Sequence, residues 1–231
     1  MTLVKVGILD SGLAGAVAAR AVASAAFTLG PEGEIERGAA EPDLIGHGTA
    51  IARLVLEAAP EVEVVNAQIF SGGATTTAAA AAAGLDWLRI EGARLVSMSF
   101  GLRGDRGVLR YACEEAARAG IILVGAAPAR GAPVFPSSYT EVIAVTGDAR
   151  CGLGQISTLY NRVAEFGACP RPPANLGDRP IGGASFAVGH ACGILARALV
   201  DGRIASASAA RGFLDGMAHY RGRECKGAEI G

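Results

Sequence analysis

Val4-Lys5-Val6-Gly7-Ile8-Leu9-Asp10-Ser11-Gly12 is the stretch whose reading decides the fold. A short apolar run ends abruptly at an Asp-Ser-Gly turn, which predicts a buried strand presenting a polar residue at its carboxyl end. Residues 62–70, 93–100, 121–126 and 142–146 are further strand candidates, rich in Val and Ile. Helical segments fall between them. Residues 50–58 are stopped by Pro60, and an Ala run is capped by Thr75-Thr76-Thr77 and ends near Gly92. Residues 108–119 lead into Gly120 as the expected C′ residue, and residues 185–200 make a final long helix. Strand and helix therefore alternate, which predicts an α/β protein: a three-layer fold with a mostly parallel central sheet and helices on both faces. Such sheets bind ligands beyond the carboxyl ends of their strands, where Asp10, Gly101 and Ala127 fall. Residues 33–42 and 150–180 read as irregular. Residues 1–215 read as one domain and 216–231 as a polar tail, in which Arg221, Arg223 and Lys226 form a basic cluster.

Composition narrows the function. The 231 residues are 51% hydrophobic, which excludes disorder. With 21 Lys+Arg against 22 Asp+Glu, there is no basic excess to hold nucleic acid or an anionic membrane. No apolar run reaches about 18 residues, so no membrane insertion is expected. The 33 glycines are about twice the usual share and favour close packing of helices on strands. Cys113, Cys151, Cys169, Cys192 and Cys225 are odd in number and far apart, with no ligand spacing; they predict buried thiols and no metal or other cofactor. The N-terminus has no signal-peptide pattern, and the first strand starts too early to leave room for a pro-domain, so a cytoplasmic location is expected.

Three segments carry chemistry. Asp10-Ser11-Gly12 follows a strand, His47-Gly48-Thr49 opens a helix, and Gly183-Ala184-Ser185-Phe186-Ala187 opens another. Alone, each has an ordinary reading as turn residue, helix start or N-cap. Together, an Asp, a His and a Ser at element ends facing one sheet edge suit nucleophilic acyl transfer. Another order stays open: Ser185, then Asp201 or Asp215, then His219, as in α/β-hydrolases, although Ala187 stands where their elbow has Gly.

These motifs resemble the subtilisin-like serine peptidases, in the order Asp–His–Ser and over roughly residues 4–199. Ala59-Pro60, Val96-Ser97-Met98-Ser99-Phe100-Gly101 and the His190-Ala191 and Gly193 that follow Ser185 are also similar. The resemblance implies a serine endopeptidase with Asp10, His47 and Ser185 as triad. It implies Ser99-Phe100-Gly101 and Gly125-Ala126-Ala127 as walls of the primary specificity pocket, along which substrate backbone pairs as an added strand. Val134 and Phe135 are expected at the pocket floor, selecting a small or medium apolar residue. Two positions depart from the family. Pro128 stands where a side-chain oxyanion donor, an Asn, is usual, and Ala184 replaces Thr; the Ser185 backbone N–H remains as a donor. Losing the Asn donor costs a subtilisin roughly 10²–10³ in rate. Residues 50–59 also run into Pro60 without the calcium loop common in the family. The small frame is similar to maturation proteases that remove a leader from a precursor peptide. A peptide-binding pseudoprotease is the competing expectation.

Overall fold

The computed structural model describes residues 3–70, 73, 75–161, 163–174 and 183–222. Elements run β1 (Lys5–Asp10), α1 (Gly15–Ala18), β2 (Ala21–Leu29), β3 (Ile35–Gly38), α2 (His47–Ala58), β4 (Glu63–Gln68), α3 (Ala78–Ile90) and β5 (Leu95–Met98). They continue with α4 (Gly107–Arg118), β6 (Ile122–Ala126), β7 (Val142–Gly147), β8 (Ile156–Thr158), β9 (Phe166–Ala168), α5 (Ala184–Val200), α6 (Ala207–Gly216) and β10 (Tyr220–Arg221).

One sheet carries all ten described strands, in the order β10-β8-β9-β7-β6-β5-β1-β4-β2-β3. The central strands are parallel, with β1 between β4 and β5 in register Gly7↔Val65 and Gly7↔Val96. Because β1 is covered on both faces, Val6, Ile8 and Leu9 are all fully buried, each worth about 1.5–3 kcal/mol. Val6 and Ile8 belong to the core under α2 and α5, and Leu9 to the core under α3 and α4. These are the three layers the alternation predicts. Close approach explains part of the glycine content. A Cβ on Gly189 or Gly193 of α5 would lie within 3.0 Å of Leu54 Cδ1 or Ala58 Cβ on α2. The two helices that open with Ser and His motifs are thereby packed side by side.

Helix ends follow the sequence signals. Thr77 caps α3 by accepting the Ala80 N–H at 3.0 Å, and Gly120 takes φ 84° just past α4. Three regions differ from the sequence reading. Residues 33–42 contain β3, paired antiparallel with β2, a strand whose Ala/Ser/Thr composition gives little apolar contrast. The span 150–180 is not irregular throughout: β8 and β9 form an antiparallel pair of only three residues each, too short to show a period. The tail is not detached, since Tyr220 and Arg221 pair with β8 and the His219 N–H donates to Ile156 O at 2.7 Å. Arg223, Cys225 and Lys226 lie outside the described residues. Cys113, Cys151, Cys169 and Cys192 are buried free thiols. Among the described residues no helix is long and apolar enough to cross a membrane, and no group of three His, Cys, Asp or Glu could hold a metal ion.

Candidate active site

Two polar side chains meet at the carboxyl end of β1. Asp10 is the last residue of β1 and 1% exposed, while His47 is the first residue of α2. His47 Nδ1 lies 2.7 Å from Asp10 Oδ1, which also accepts the Ser11 N–H at 2.7 Å. Asp10 Oδ2 is buried without a protein hydrogen-bond partner. Burial works against a charged His47. The charge and hydrogen bond of Asp10, and the charge of Asp43, work the other way and leave its pKa above 6.5. A carboxylate on Nδ1 fixes the tautomer that leaves Nε2 able to take a proton.

Ser185 sits in the first turn of α5. Its N-cap Gly183 has φ 140° and ψ −158°, a conformation open to glycine, and offers no capping side chain. The first amides of α5 are thus uncapped by a side chain, and the helix dipole adds positive potential beside Ser185. Ser185 Oγ donates to Ser99 O at 3.2 Å, which ties the serine to the segment after β5. Phe186, the next residue, packs its ring 6.0 Å from the His47 ring, so imidazole and serine-bearing turn are neighbours. Catalytic hydrogen bonds are often unformed without substrate.

A cleft of about 470 Å³ opens over Asp10 and His47, lined also by Ser99, Phe100 and Gly101, with Ile45, Phe70 and Leu102 giving it an apolar wall; Ser185 lies beside the Ser99 segment and is not itself in the lining. Of the expected substrate-binding residues, Ser99, Phe100 and Gly101 therefore line the cleft. Gly125, Ala126 and Ala127 lie one strand over, in and just after β6, and do not line it. The space between the two segments is occupied. A Cβ on Gly101 would fall 2.8 Å from Val134 Cγ2, and one on Gly125 would fall 3.3 Å from Ser137 Cβ. Val134 is held there because both Ser137 Oγ and Ser138 Oγ donate to its carbonyl oxygen. Phe135 does not share that place. Its backbone bridges to Leu102 and its ring packs against Tyr139 at 5.1 Å, on the α3/α4 side. Pro128 follows β6 and Ala184 opens α5, so neither position has a polar side chain.

The other chain order does not assemble. β10, which follows His219, lies five strand spacings from β5, roughly 24 Å. Asp201 closes the far end of the 17-residue helix that Ser185 opens and pairs with Arg197; Asp215 binds Thr158 and Arg221. Sequence reading missed Asp43, and it quoted Ser11 and Thr49 in their segments without a role. Asp43 takes hydrogen bonds from Ser11 Oγ, from the amides of Ile45, Gly46 and Thr49, and from Thr49 Oγ1. Its position four residues before His47, ahead of a glycine unable to cap, was the available signal.

A buried Asp–His pair lies at the carboxyl edge of a parallel sheet, and Ser185 stands on an uncapped helix start whose next residue, Phe186, packs against the imidazole. The chain belongs to the Subtilase family, whose profile matches residues 2–214. Alkaline elastase YaB of Bacillus sp. strain YaB is 27% identical over 214 residues, covering 84% of this chain and 54% of that protein. The thermostable alkaline protease of Halalkalibacterium halodurans is 28% identical over 213 residues, covering 83% and 55%. The chain thus spans about half the length of these relatives. Among solved structures, a cold-adapted subtilisin-like serine proteinase superposes with TM-score 0.68 at 18% identity, over 92% of this chain and 81% of that one. A lanthipeptide protease superposes with TM-score 0.64 at 18% identity, over 91% and 78%. At such identities the superpositions speak for the fold.

Proposed function

We propose that this chain is a serine endopeptidase of narrow specificity that removes a leader from a precursor peptide. The observation that carries the reading is the 2.7 Å His47–Asp10 hydrogen bond beside the Ser185 turn. Ser185 Oγ attacks the scissile carbonyl carbon and its proton passes to His47 Nε2, then to the leaving amine. Water next attacks the acyl-enzyme and returns the proton to Ser185. The Ser185 N–H at the start of α5 meets the oxyanion. Narrowness follows from Val134, which packs against Gly101, and from Pro128, which supplies no donor and keeps intrinsic activity low. The frame is similar to the maturation protease that trims the small subunit of quinohemoprotein amine dehydrogenase, so a cysteine-crosslinked precursor met in the cytoplasm is the substrate proposed.

Pro128, and a Ser185 hydroxyl bonded to the Ser99 carbonyl, favour a second reading: a pseudoprotease that binds an extended peptide uncut. Incubation with leader-bearing precursor peptides, read by mass, separates the two. One cleavage site, lost in Ser185→Ala, supports the peptidase. Saturable binding of intact peptide with no product at long times supports the second reading and overturns the first.

A further inference from the structure

The loop ahead of α2 holds a carboxylate that the proposed chemistry does not use. Asp43 is 8% exposed. Its Oδ1 accepts from Ser11 Oγ at 2.9 Å and from the Ile45 and Gly46 amides at 3.1 and 2.8 Å. Its Oδ2 accepts from the Thr49 amide at 2.9 Å and Thr49 Oγ1 at 2.7 Å. Ser11 Oγ accepts in turn from the Gly48 amide at 2.9 Å. The amides of Gly48 and Thr49 are first-turn donors of α2, whose N-cap Gly46, at φ 79°, has no side chain to serve them. Ser11 is also the residue whose amide holds Asp10 Oδ1. One bonded circuit therefore joins the strand end carrying Asp10 to the helix start carrying His47.

We propose that Asp43 is a positioning residue, which sets the placement of His47 against Asp10 through Ser11 and Thr49 and holds a second negative charge behind the imidazole. The proposal rests on His47 being the base of the peptidase reading. Three features carry it. An ordinary helix cap would engage α2 alone, whereas Asp43 also grips the strand side through Ser11. A carboxylate at a helix start is favoured by the helix dipole. The charged groups bearing on His47 are Asp10 from β1 and Asp43 from the loop, both raising its affinity for a proton against the opposing effect of burial.

Asp43→Asn tests it with two readouts. The chain has three histidines, so NMR titration follows the His47 imidazole directly and needs no turnover. The titration midpoint of His47 is expected to fall in the variant. On a cleaved peptide kcat is expected to drop about 10- to 100-fold, the scale of a displaced catalytic group, with KM within about twofold. A lower Tm with an unmoved His47 midpoint and unchanged kcat would make Asp43 a cap alone and overturn the proposal. If Asp43→Asn fails to fold, Ser11→Ala keeps every bond from Asp43 to α2 and cuts its link to the strand side, together with the Gly48 amide's bond to Ser11 Oγ. A kcat lowered about 10-fold supports the proposal, and unchanged kcat overturns it. Should the wild-type protein cut nothing, the peptidase reading falls, and the His47 midpoint, wild type against whichever variant folds, still decides for or against Asp43.

Discussion

Replacing Gly48 by Ala should separate His47 from Asp10. Gly48 is the second residue of α2, and its α-carbon faces the turn after β1. A Cβ there would come well inside 3.0 Å of the Gly12 carbonyl oxygen, with Gly12 N at 3.1 Å and Asp10 Cβ at 3.2 Å. None of these can rotate away, since two are backbone and the third is the root of the Asp10 side chain. The start of α2 must withdraw by a good fraction of an ångström, and His47, its neighbour, goes with it. Misplacing a catalytic group by about 1 Å costs on the order of 10²-fold in rate, and overpacking costs about 1–3 kcal/mol. Intrinsic helix propensity has the opposite sign, favouring Ala over Gly by about 1 kcal/mol. A net loss therefore isolates the collision. A loss of about 2 kcal/mol lowers Tm by about 4–8 °C in a chain of this size. Gly212→Ala in α6 is the control, because a Cβ there meets nothing within 4 Å; it should raise stability by about 0.5–1 kcal/mol. Peptide hydrolysis and thermal unfolding of both variants provide the assay. A Gly48→Ala protein with wild-type rate and Tm would refute the reasoning.

Val134→Gly should empty the space beside Gly101. On a peptide library it should raise kcat/KM for Leu or Phe before the scissile bond by about 10-fold or more relative to Ala; an unchanged profile would show that Val134 does not limit the pocket. The acid limb of kcat/KM should have its midpoint above pH 6.5, because the proposed base, His47, must be neutral to act and its neighbours raise its pKa. The same raised pKa gives a stability contribution present below pH 6.5 and lost as pH rises through the folded-state value, visible in the pH dependence of Tm of wild type against His47→Ala. Thr77→Ala removes the acceptor of the Ala80 N–H at the start of α3 and should cost about 1 kcal/mol in denaturant unfolding without changing kcat.

The central sheet was legible because β1, β4, β5, β6 and β7 are buried on both faces and so read as mostly apolar runs, interrupted by Asn66 in β4 and Ser97 in β5. The periphery was not. β2 alternates half-buried and exposed positions over its first four residues, using Ala, Val and Ser, while β8, β9 and β10 are two or three residues long and exist through pairing alone. At the site, Asp10 and His47 were legible because each occupies an element end, Asp10 opening an Asp-Ser-Gly turn and His47 lying between two glycines, and the structure joins them in a hydrogen bond. Val134, singled out in the sequence, packs beside Gly101. Phe135 turned toward the α3/α4 core because its backbone pairs with Leu102, a contact across 33 residues that no local pattern encodes. Asp43 escaped for the same kind of reason: four of its five hydrogen bonds are to residues within six positions, but the bond that links it to Ser11 spans 32.

The most direct test of the account is covalent labelling of Ser185 by a fluorophosphonate, read by intact mass and peptide mapping. The account predicts a single adduct on Ser185, absent in Ser185→Ala and formed far more slowly in His47→Ala, with both variants folded. Folded wild-type protein that acquires no adduct after long incubation, or labels equally fast with and without His47, would contradict it.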